Sequence, residues 1–439
     1  MPFIPHSQSE REQMLAAIGK SSVEELFSDI PASKRFPTLS LPRGVSEMEA
    51  LAEIENLAGK NRTSKDLAWF LGAGAYNHFI PALVPALATR GEFLTAYTPY
   101  QPEVSQGTLQ AIFEYQSMAA SLLGMAVVNA SHYDGATALA EAILMAWKID
   151  EDRRKILLPR DIHPDWEAVV RTYLSSFDIE ICLYDGAPEY APVDSGTACL
   201  IAGYPDFSGE IRPLSPGAAA AHSAGALFIV NADPLLCSIL KSPGSQGADI
   251  VVAEGQSLGN PVNFGGPYLG MMGATEKLMR KMPGRIVGEA FDHEGRRGFV
   301  LTLTAREQHI RREKAVSNIC SNQGLSMLQT CIHLAALGAS GLAKVGRLCW
   351  DKAHYAASRI GSSQGFEIIT GTFFKEFLVR CPIDAEALVA RLLKKGIMAG
   401  LPLSRLGRSD GRDLLVCVTE MNSKAQIDKL ADALQEASR

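Results

Sequence analysis

Five short apolar runs recur through the middle of this 439-residue chain: Ile156-Leu157-Leu158, then 179–183, 198–201, 226–230 and 250–253, each separated from the next by a helix-like segment. A strand with one wet face alternates apolar and polar residues, whereas a strand covered on both faces is apolar throughout. Runs of this kind with helices between them leave few options. They predict a mainly parallel sheet in an α/β layer architecture.

The flanking segments fit around such a sheet. A helix is predicted over 103–123, with Leu109, Ile112, Phe113, Ala120 and Leu123 on one stripe. A second is predicted after Asp134, where Leu139, Ala142, Ile143, Ala146 and Trp147 repeat at the helical period and imply one face packed on the sheet. Towards the N-terminus, Ser46-Glu47-Met48-Glu49 has the form of a capping box opening a helix through Leu51 and Leu57. After Leu303 the sequence reads as a charged helix over 306–314, a polar turn over 317–323 and a long helix starting near Leu325 that links two domains. The remainder is an α+β module. It comprises an extended Phe377-Leu378-Val379, a helix capped by Asp384 and ended by Lys394-Lys395-Gly396, a run over 414–418, and a last helix opened by Ser423 and Gln426 with Ile427, Leu430 and Leu434 inward. The expected organisation is a helical arm over 1–62, a large α/β domain over 63–315, a linking helix over 316–345 and a small C-terminal α+β domain over 346–439.

Charge and cysteine content narrow the function. Forty-two basic against 48 acidic residues give a net charge of -6, without the basic surplus that nucleic-acid binding needs, so no nucleic-acid partner is expected. The most apolar long segment, 327–348, carries His333, Lys344 and Arg347, and no membrane partner is expected. The N-terminus has neither a secretory apolar core nor the acid-poor character of a transit peptide, so the expected location is cytoplasmic. Eight cysteines at 182, 199, 237, 320, 331, 349, 381 and 417 show no closely spaced ligand pattern. They read as reduced, buried small hydrophobes, and no metal is expected.

Several segments have a chemical reading beside a plain one. In Tyr97-Thr98-Pro99-Tyr100-Gln101-Pro102 the residues before each proline are driven towards extended geometry, which presents two phenols from a stiff loop; the plain reading is an aromatic loop covering the core. The short polar side chains from Asn318 to Gln323 precede a helix, where free N–H groups cap the chain or hold an anion. Tyr133-Asp134-Gly135-Ala136-Thr137 has the form of a phosphate-cradling turn at a helix start, although Asp134 also serves as an ordinary N-cap. The glycines over 265–273 do not form a G-x-G-x-x-G fingerprint, which argues against a dinucleotide site and for tight turns at a subunit contact. Arg306, His309, Arg311, Arg312 and Lys314 read as the solvated face of a helix or as a dock for an acidic carrier. His132 reads as a hydrogen-bonded structural histidine or as an acid-base group.

Longer matches give these features a family. Phe70-Leu71-Gly72-Ala73-Gly74-Ala75-Tyr76, Thr95-Ala96-Tyr97-Thr98-Pro99-Tyr100-Gln101-Pro102-Glu103, Tyr133-Asp134-Gly135-Ala136-Thr137-Ala138 and Ser317-Asn318-Ile319-Cys320-Ser321-Asn322-Gln323 resemble the alpha subunits of the two-subunit P-protein of the glycine cleavage system. The opening residues Met14 to Gly19 and Val23 to Phe27 resemble the same family, so the likeness spans nearly the whole chain. It implies the PLP-dependent transferase fold, type I, with a small C-terminal domain. It also implies membership of glycine decarboxylase, a PLP enzyme that removes carbon dioxide from glycine and passes the aminomethyl remnant to the lipoyl group of H-protein.

The family comparison also exposes two losses. Asp249 to Gly259, followed by Phe264-Gly265-Gly266-Pro267, resembles the lysine-bearing region of the partner beta subunit, yet either Gln256 or Ser257 stands at the lysine position and the nearest lysines in sequence are Lys241 and Lys277. Neither an amide nor a hydroxyl forms an imine with an aldehyde. Asn231 falls where the acidic partner of the pyridine nitrogen is expected, with Asp233 two residues on. The resemblance therefore implies that this chain binds no cofactor alone, that PLP sits on a beta subunit in an α2β2 assembly, and that Tyr97, Tyr100, Asn318 and Ser321 reach the partner's active site. The rival expectation is a scaffold or regulatory paralogue that supplies no active-site residue.

Overall fold

The computed structural model describes residues 5–35, 37–315, 317–319 and 321–438, which leaves Cys320 outside the described residues. The chain forms two compact units, 1–62 and 63–439. In the first, helices α1 (Gln8–Ala17) and α2 (Glu47–Ala58) each open on a capping box, Ser7 with Glu10 and Ser46 with Glu49, and neither buries a residue.

The second unit is built on a seven-stranded sheet. Its strands are β1 (Val127–Val128), β2 (Lys155–Pro159), β3 (Glu180–Tyr184), β4 (Thr197–Tyr204), β5 (Leu227–Ala232), β6 (Ile250–Glu254) and β7 (Gly270–Ala274), in the spatial order β1-β7-β6-β5-β4-β2-β3. The pairings among β2 to β6 are parallel, while β7 runs antiparallel to both β6 and β1. All five apolar runs are strands of this sheet. Successive residues divide between two cores as a period of two requires. Leu157, Leu200, Phe228, Val230 and Val251 face helices α3 (Gln106–Leu123) and α6 (Ser215–Ser223) and the first part of α7 (Gly324–Gly361). Ile156, Leu158, Ile201, Ile229 and Val252 face α4 (Gly135–Trp147) and α5 (Pro164–Leu174).

Three local expectations change. Helix α4 buries not one stripe but every position from Ala138 to Ala146, because its small residues let the sheet approach on one side and α5 on another. The segment 306–314 is not one charged helix: Gln308–Arg311 is a single turn between two 3-10 turns, and Arg312 sits at a φ of 52°, which breaks the helical hydrogen-bond ladder. The long helix extends to Gly361 and is interrupted at Gly338, whose φ of 60° suits a residue without a Cβ. Its apolar residues are spent on packing. Met327, Cys331 and Leu334 join the large core, and Ala353, Ala356 and Ile360 join a core of the C-terminal module.

That module carries a four-stranded sheet of β8 (Glu367–Ile368), β9 (Glu376–Arg380), β10 (Leu401–Pro402) and β11 (Asp413–Cys417), in the order β8-β9-β11-β10. Helices α8 (Ala385–Lys394) and α9 (Lys424–Ala437) start at Asp384 and Ser423, the caps read from the sequence. Ala68–Trp69 pairs in parallel with Ile397–Met398, so chain from before the large sheet closes onto the module.

Tyr115 is fully buried on α3, and its hydroxyl has no hydrogen-bond partner among the described residues. A buried hydroxyl without a partner forfeits its hydration. Tyr115→Phe should therefore raise the unfolding midpoint of the second unit, gaining roughly 1 kcal/mol in urea titrations. A loss of similar size would show that the hydroxyl is satisfied by something else.

Candidate functional site

The carboxyl ends of β2, β4, β5 and β6 open into a cavity whose solvent-accessible space is about 80 Å³, room for a few water molecules. This is where parallel α/β sheets hold ligands. Here, however, the elements that would frame a ligand are joined to each other by buried side chains.

Glu254, the last residue of β6, makes the tightest of these joins. One carboxyl oxygen accepts the Gly135 N–H at 2.9 Å, and the other accepts the N–H groups of Gln256 and Leu269, each at 3.0 Å. Gly135 is the first residue of α4, so the carboxyl fills the position where the sequence offered an anion cradle. The indole of Trp166 and the Glu254 stem lie so close over Gly135 that no Cβ fits there. Burial pushes the Glu254 carboxyl up to about 8, outweighing the three N–H groups that favour its charge. On the other side of the turn, Asp134 accepts from the Thr137 N–H at 2.8 Å and caps α4.

The two residues at the lysine position face different ways. The Gln256 amide bonds only to backbone: its oxygen accepts the Tyr76 N–H at 2.8 Å, and its nitrogen donates to the carbonyls of Tyr76 and Asn260 at 3.0 and 2.8 Å. Ser257 lines the cavity, 5% exposed. Asn231 lines the same cavity.

Asp233, beside Asn231, pairs at 2.7 Å with Lys375, a lysine that nothing in the sequence singled out. Both groups are buried. Burial alone would lower the Lys375 pKa, but facing negative charge, led by Asp233, holds it above the ordinary lysine value, so the amine is a protonated ammonium. It stands 3.5 Å from the centre of the Tyr76 ring. Tyr76 donates to Glu376 at 2.7 Å, and Glu376 also accepts the Ala73 N–H at 2.6 Å. Nearby, His78 meets Glu420 at 2.7 Å, and the Cys349 thiol donates to the same carboxylate oxygen. These three donors lie within 4.8 Å of one another. With the Lys375 ammonium 3.3 Å from the other ring nitrogen of His78, the group is a self-neutralised hydrogen-bonded cluster that disfavours a metal cation.

The residues expected to reach a partner lie on a different set of loops. The Tyr97 hydroxyl and the Ser321 Oγ are 2.7 Å apart, although 224 positions separate them in sequence. Tyr97 is 74% exposed and Tyr100 is 52% exposed. Arg285 donates to the Tyr100 hydroxyl at 3.4 Å and lies 5.5 Å from its ring centre. Asn318 is exposed, and its carbonyl accepts from Gln308 at 3.4 Å. The plain reading of this loop as core cover fails for the two phenols.

Three further expectations resolve. Arg306 is buried, donating to the carbonyls of Met282, Leu303 and Gly284, so the basic cluster is not a uniformly solvated face. His132 is fully buried, joined to Asn129 at 2.8 Å, and burial alone lowers it to about 4, which makes it a neutral structural group. Of the seven described cysteines six are buried, and Cys182 is half-buried. Glu254 and Lys375 are the functional residues that sequence reasoning missed. The one signal for Lys375 was a charged Lys-Glu pair set inside the apolar stretch Phe373-Phe374-Lys375-Glu376-Phe377.

Pyridoxal phosphate does not fit these residues in the usual manner. The phosphate cradle is closed by a carboxyl, no lysine lines the cavity, and the ammonium beside it, on Lys375, is already paired with Asp233.

The sequence model of the family described as Glycine cleavage system P-protein matches residues 1–434. The chain is 47% identical to a probable glycine dehydrogenase (decarboxylating) subunit 1 of Thermomicrobium roseum, with all of both chains covered. It is 48% identical to the protein of the same name in Nitratidesulfovibrio vulgaris, with 99% of each chain covered. A crystal structure of glycine decarboxylase (P-protein) of the glycine cleavage system, in inhibitor-bound form, superposes over the full length of both chains with a TM-score of 0.91 and 42% identity. Mouse CSAD shares the fold at a TM-score of 0.69 and 15% identity, over 99% of this chain and 92% of its own. The fold is that of the type I PLP-dependent transferases.

Removing one member of a buried pair leaves an uncompensated charge, so Lys375→Met should cost roughly 3–5 kcal/mol in chemical denaturation. The double variant Lys375→Met, Asp233→Asn should recover part of that loss; an unchanged single variant would mean that the pair is solvated. Glu254 gives a pH signature. Its folded pKa of about 8 lies above the ordinary 4.5, so the folded state keeps a proton that the unfolded chain releases. Stability should then fall as pH rises between these values, by at most about 1.4 kcal/mol per unit from this group. Glu254→Gln should lack that slope whatever its offset, and parallel pH profiles for the two proteins would refute the assignment.

Proposed function

This chain belongs to the glycine cleavage system P-protein family and is a subunit of glycine decarboxylase, and from that premise we propose that it acts at a site completed by a partner subunit, on whose PLP the decarboxylation occurs. The observation that carries this reading is the closure of its own pocket. Among the described residues no free amine stands at the end of β6, and the Glu254 carboxyl takes the Gly135 N–H that would greet a phosphate. A chain so built is inactive alone.

What it contributes is positioned chemistry on exposed loops. Tyr97 presents a phenol whose hydroxyl is oriented by Ser321. Tyr100 presents a second, steadied by Arg285. The prolines at 99 and 102 limit the freedom of the segment between them, so little entropy is lost when it meets a partner. The two phenols reach the partner's PLP-glycine site and orient glycine by hydrogen bonds, while Ser321 and Asn318 offer polar groups to the phosphate of the partner's PLP. On the partner, PLP supplies the electron sink for loss of carbon dioxide. The aminomethyl remnant then passes to the lipoyl group of H-protein. Two copies of each subunit form an α2β2 assembly in this reading.

The reconstituted complex tests it. Replacing both Tyr97 and Tyr100 by Phe keeps the rings and removes the two hydroxyls, and glycine decarboxylation should fall at least about tenfold, as expected when positioned donors at a reacting centre are lost. Ser321→Ala should give a smaller loss in the same direction. An unchanged rate in a complex of normal size would favour the scaffold reading instead.

A further inference from the structure

Helix α4 carries a single charged residue. From Ala138 to Ala146 every position is buried, and all but Glu141 are apolar. Glu141 is 8% exposed. A carboxyl in such surroundings destabilises a fold unless a partner compensates it. Burial raises its pKa above the ordinary carboxyl value, against the Ser317 hydrogen bond and the Lys148 charge, which both lower it. An apolar side chain would pack at this position at least as well, so packing does not account for the carboxyl.

Its partner does. The Ser317 hydroxyl donates to Glu141 Oε1 at 2.7 Å and accepts the Ile319 N–H at 3.0 Å. Donor and acceptor roles of the hydroxyl are both used, and the turn over 317–319 is thereby tied to α4, although Ser317 and Glu141 are 176 positions apart. Packing secures this turn poorly. Between it and the helices α4 and α5 lies a recess of about 460 Å³, bordered by Glu141, Lys148, Tyr173, Phe177 and Asn318. The Asn318 carbonyl accepts from Gln308 at 3.4 Å, a long bond between exposed groups. A segment that faces open space, with few buried contacts of its own, is ordered mainly by direct links of the Ser317 kind.

We propose that Glu141 is a positioning residue that, through Ser317, fixes the turn presenting Asn318 to the partner subunit, a role that rests on the proposed contact of Asn318 with the phosphate of the partner's PLP. Glu141 acts through Ser317 and not by contact with cofactor or substrate. It raises the fraction of subunits whose turn already has the arrangement that the partner requires, and a chain that must first order this turn binds more weakly by that fraction.

Two variants separate anchoring from folding. Glu141→Met removes the carboxyl and keeps an apolar chain of similar length, whereas Glu141→Gln keeps an oxygen that accepts from Ser317. In the full-length subunit Glu141→Met should unfold at the same midpoint as the parent or higher, because a buried carboxyl is lost. Amide hydrogen exchange in peptides spanning 317–319 should nevertheless quicken, and Glu141→Gln should exchange as the parent does. In the reconstituted complex, PLP titrated into the cofactor-free assembly and followed by absorbance should bind at least about fivefold more weakly with Glu141→Met and normally with Glu141→Gln. Asn318→Ala in the same complex checks the contact on which the role depends. If Asn318→Ala weakens PLP binding and Glu141→Met does not, the positioning role is refuted while the contact stands. If neither variant weakens it, both are overturned, even where exchange quickens. A lower midpoint in both Glu141 variants, with faster exchange throughout the protein, would reduce Glu141 to a stability residue and overturn the proposal as well.

Discussion

One carboxyl group ties the centre of this molecule together. Glu254 accepts N–H groups from the start of α4, from the turn that leaves β6 and from the chain entering β7. These three points converge because β6 is a central strand with α4 packed across its face, and the carboxyl ends of parallel strands leave backbone donors pointing into a common space. An orphan donor at a buried helix start must find a partner. In this subunit the partner is covalently part of the chain, and the geometry around it follows: Gly135 must be glycine, Trp166 packs against it, and the cradle that a phosphate would enter is shut.

The same substitution of protein for ligand recurs across the cleft between the large sheet and the C-terminal module. Asp233 at the end of β5 holds Lys375, Glu376 at the start of β9 holds Tyr76 and Ala73, and the Gln256 amide is clasped to Tyr76 and Asn260. Each group satisfies another's need for a partner, so the network is costly to break at any one member though its net worth over an apolar replacement is small. In the proposed function this becomes a division of labour. A pocket fastened by its own side chains has little freedom to open around a cofactor, while the loops bearing Tyr97, Tyr100 and Ser321 keep their polar groups at the surface, where another chain can use them.

Much of this was legible in the sequence because it rests on local rules. The apolar runs announced buried strands, and the capping boxes at Ser46 and Ser423 and the cap at Asp384 located helix starts. What escaped notice depended on contacts between distant segments. Lys375 and Asp233 are 142 positions apart in numbering, and neither is remarkable until the C-terminal module is laid on the sheet. Glu254 follows a buried strand and reads as an ordinary strand-end acid; its role exists only because Gly135 and Leu269 arrive beside it. The region after Leu303 failed for another reason. Its charges have helical spacing, but Arg306 turns inward to three carbonyls and Arg312 takes a left-handed conformation, two tertiary choices that override propensity. The pairing of Tyr97 with Ser321 lies between these cases: both segments were recognised by resemblance, yet only the fold brings them within 2.7 Å.

Whether this chain can capture PLP is the chemical question on which the reading turns, and Lys375 makes it answerable. The purified full-length subunit, mixed with one equivalent of pyridoxal phosphate, treated with borohydride and analysed by intact mass and peptide mapping, should show no stoichiometric pyridoxyl adduct, because the cleft's amine is a protonated partner of Asp233 and the cradle is filled by Glu254. A single, complete modification at Lys375 would contradict that result and return an active cofactor site to this subunit.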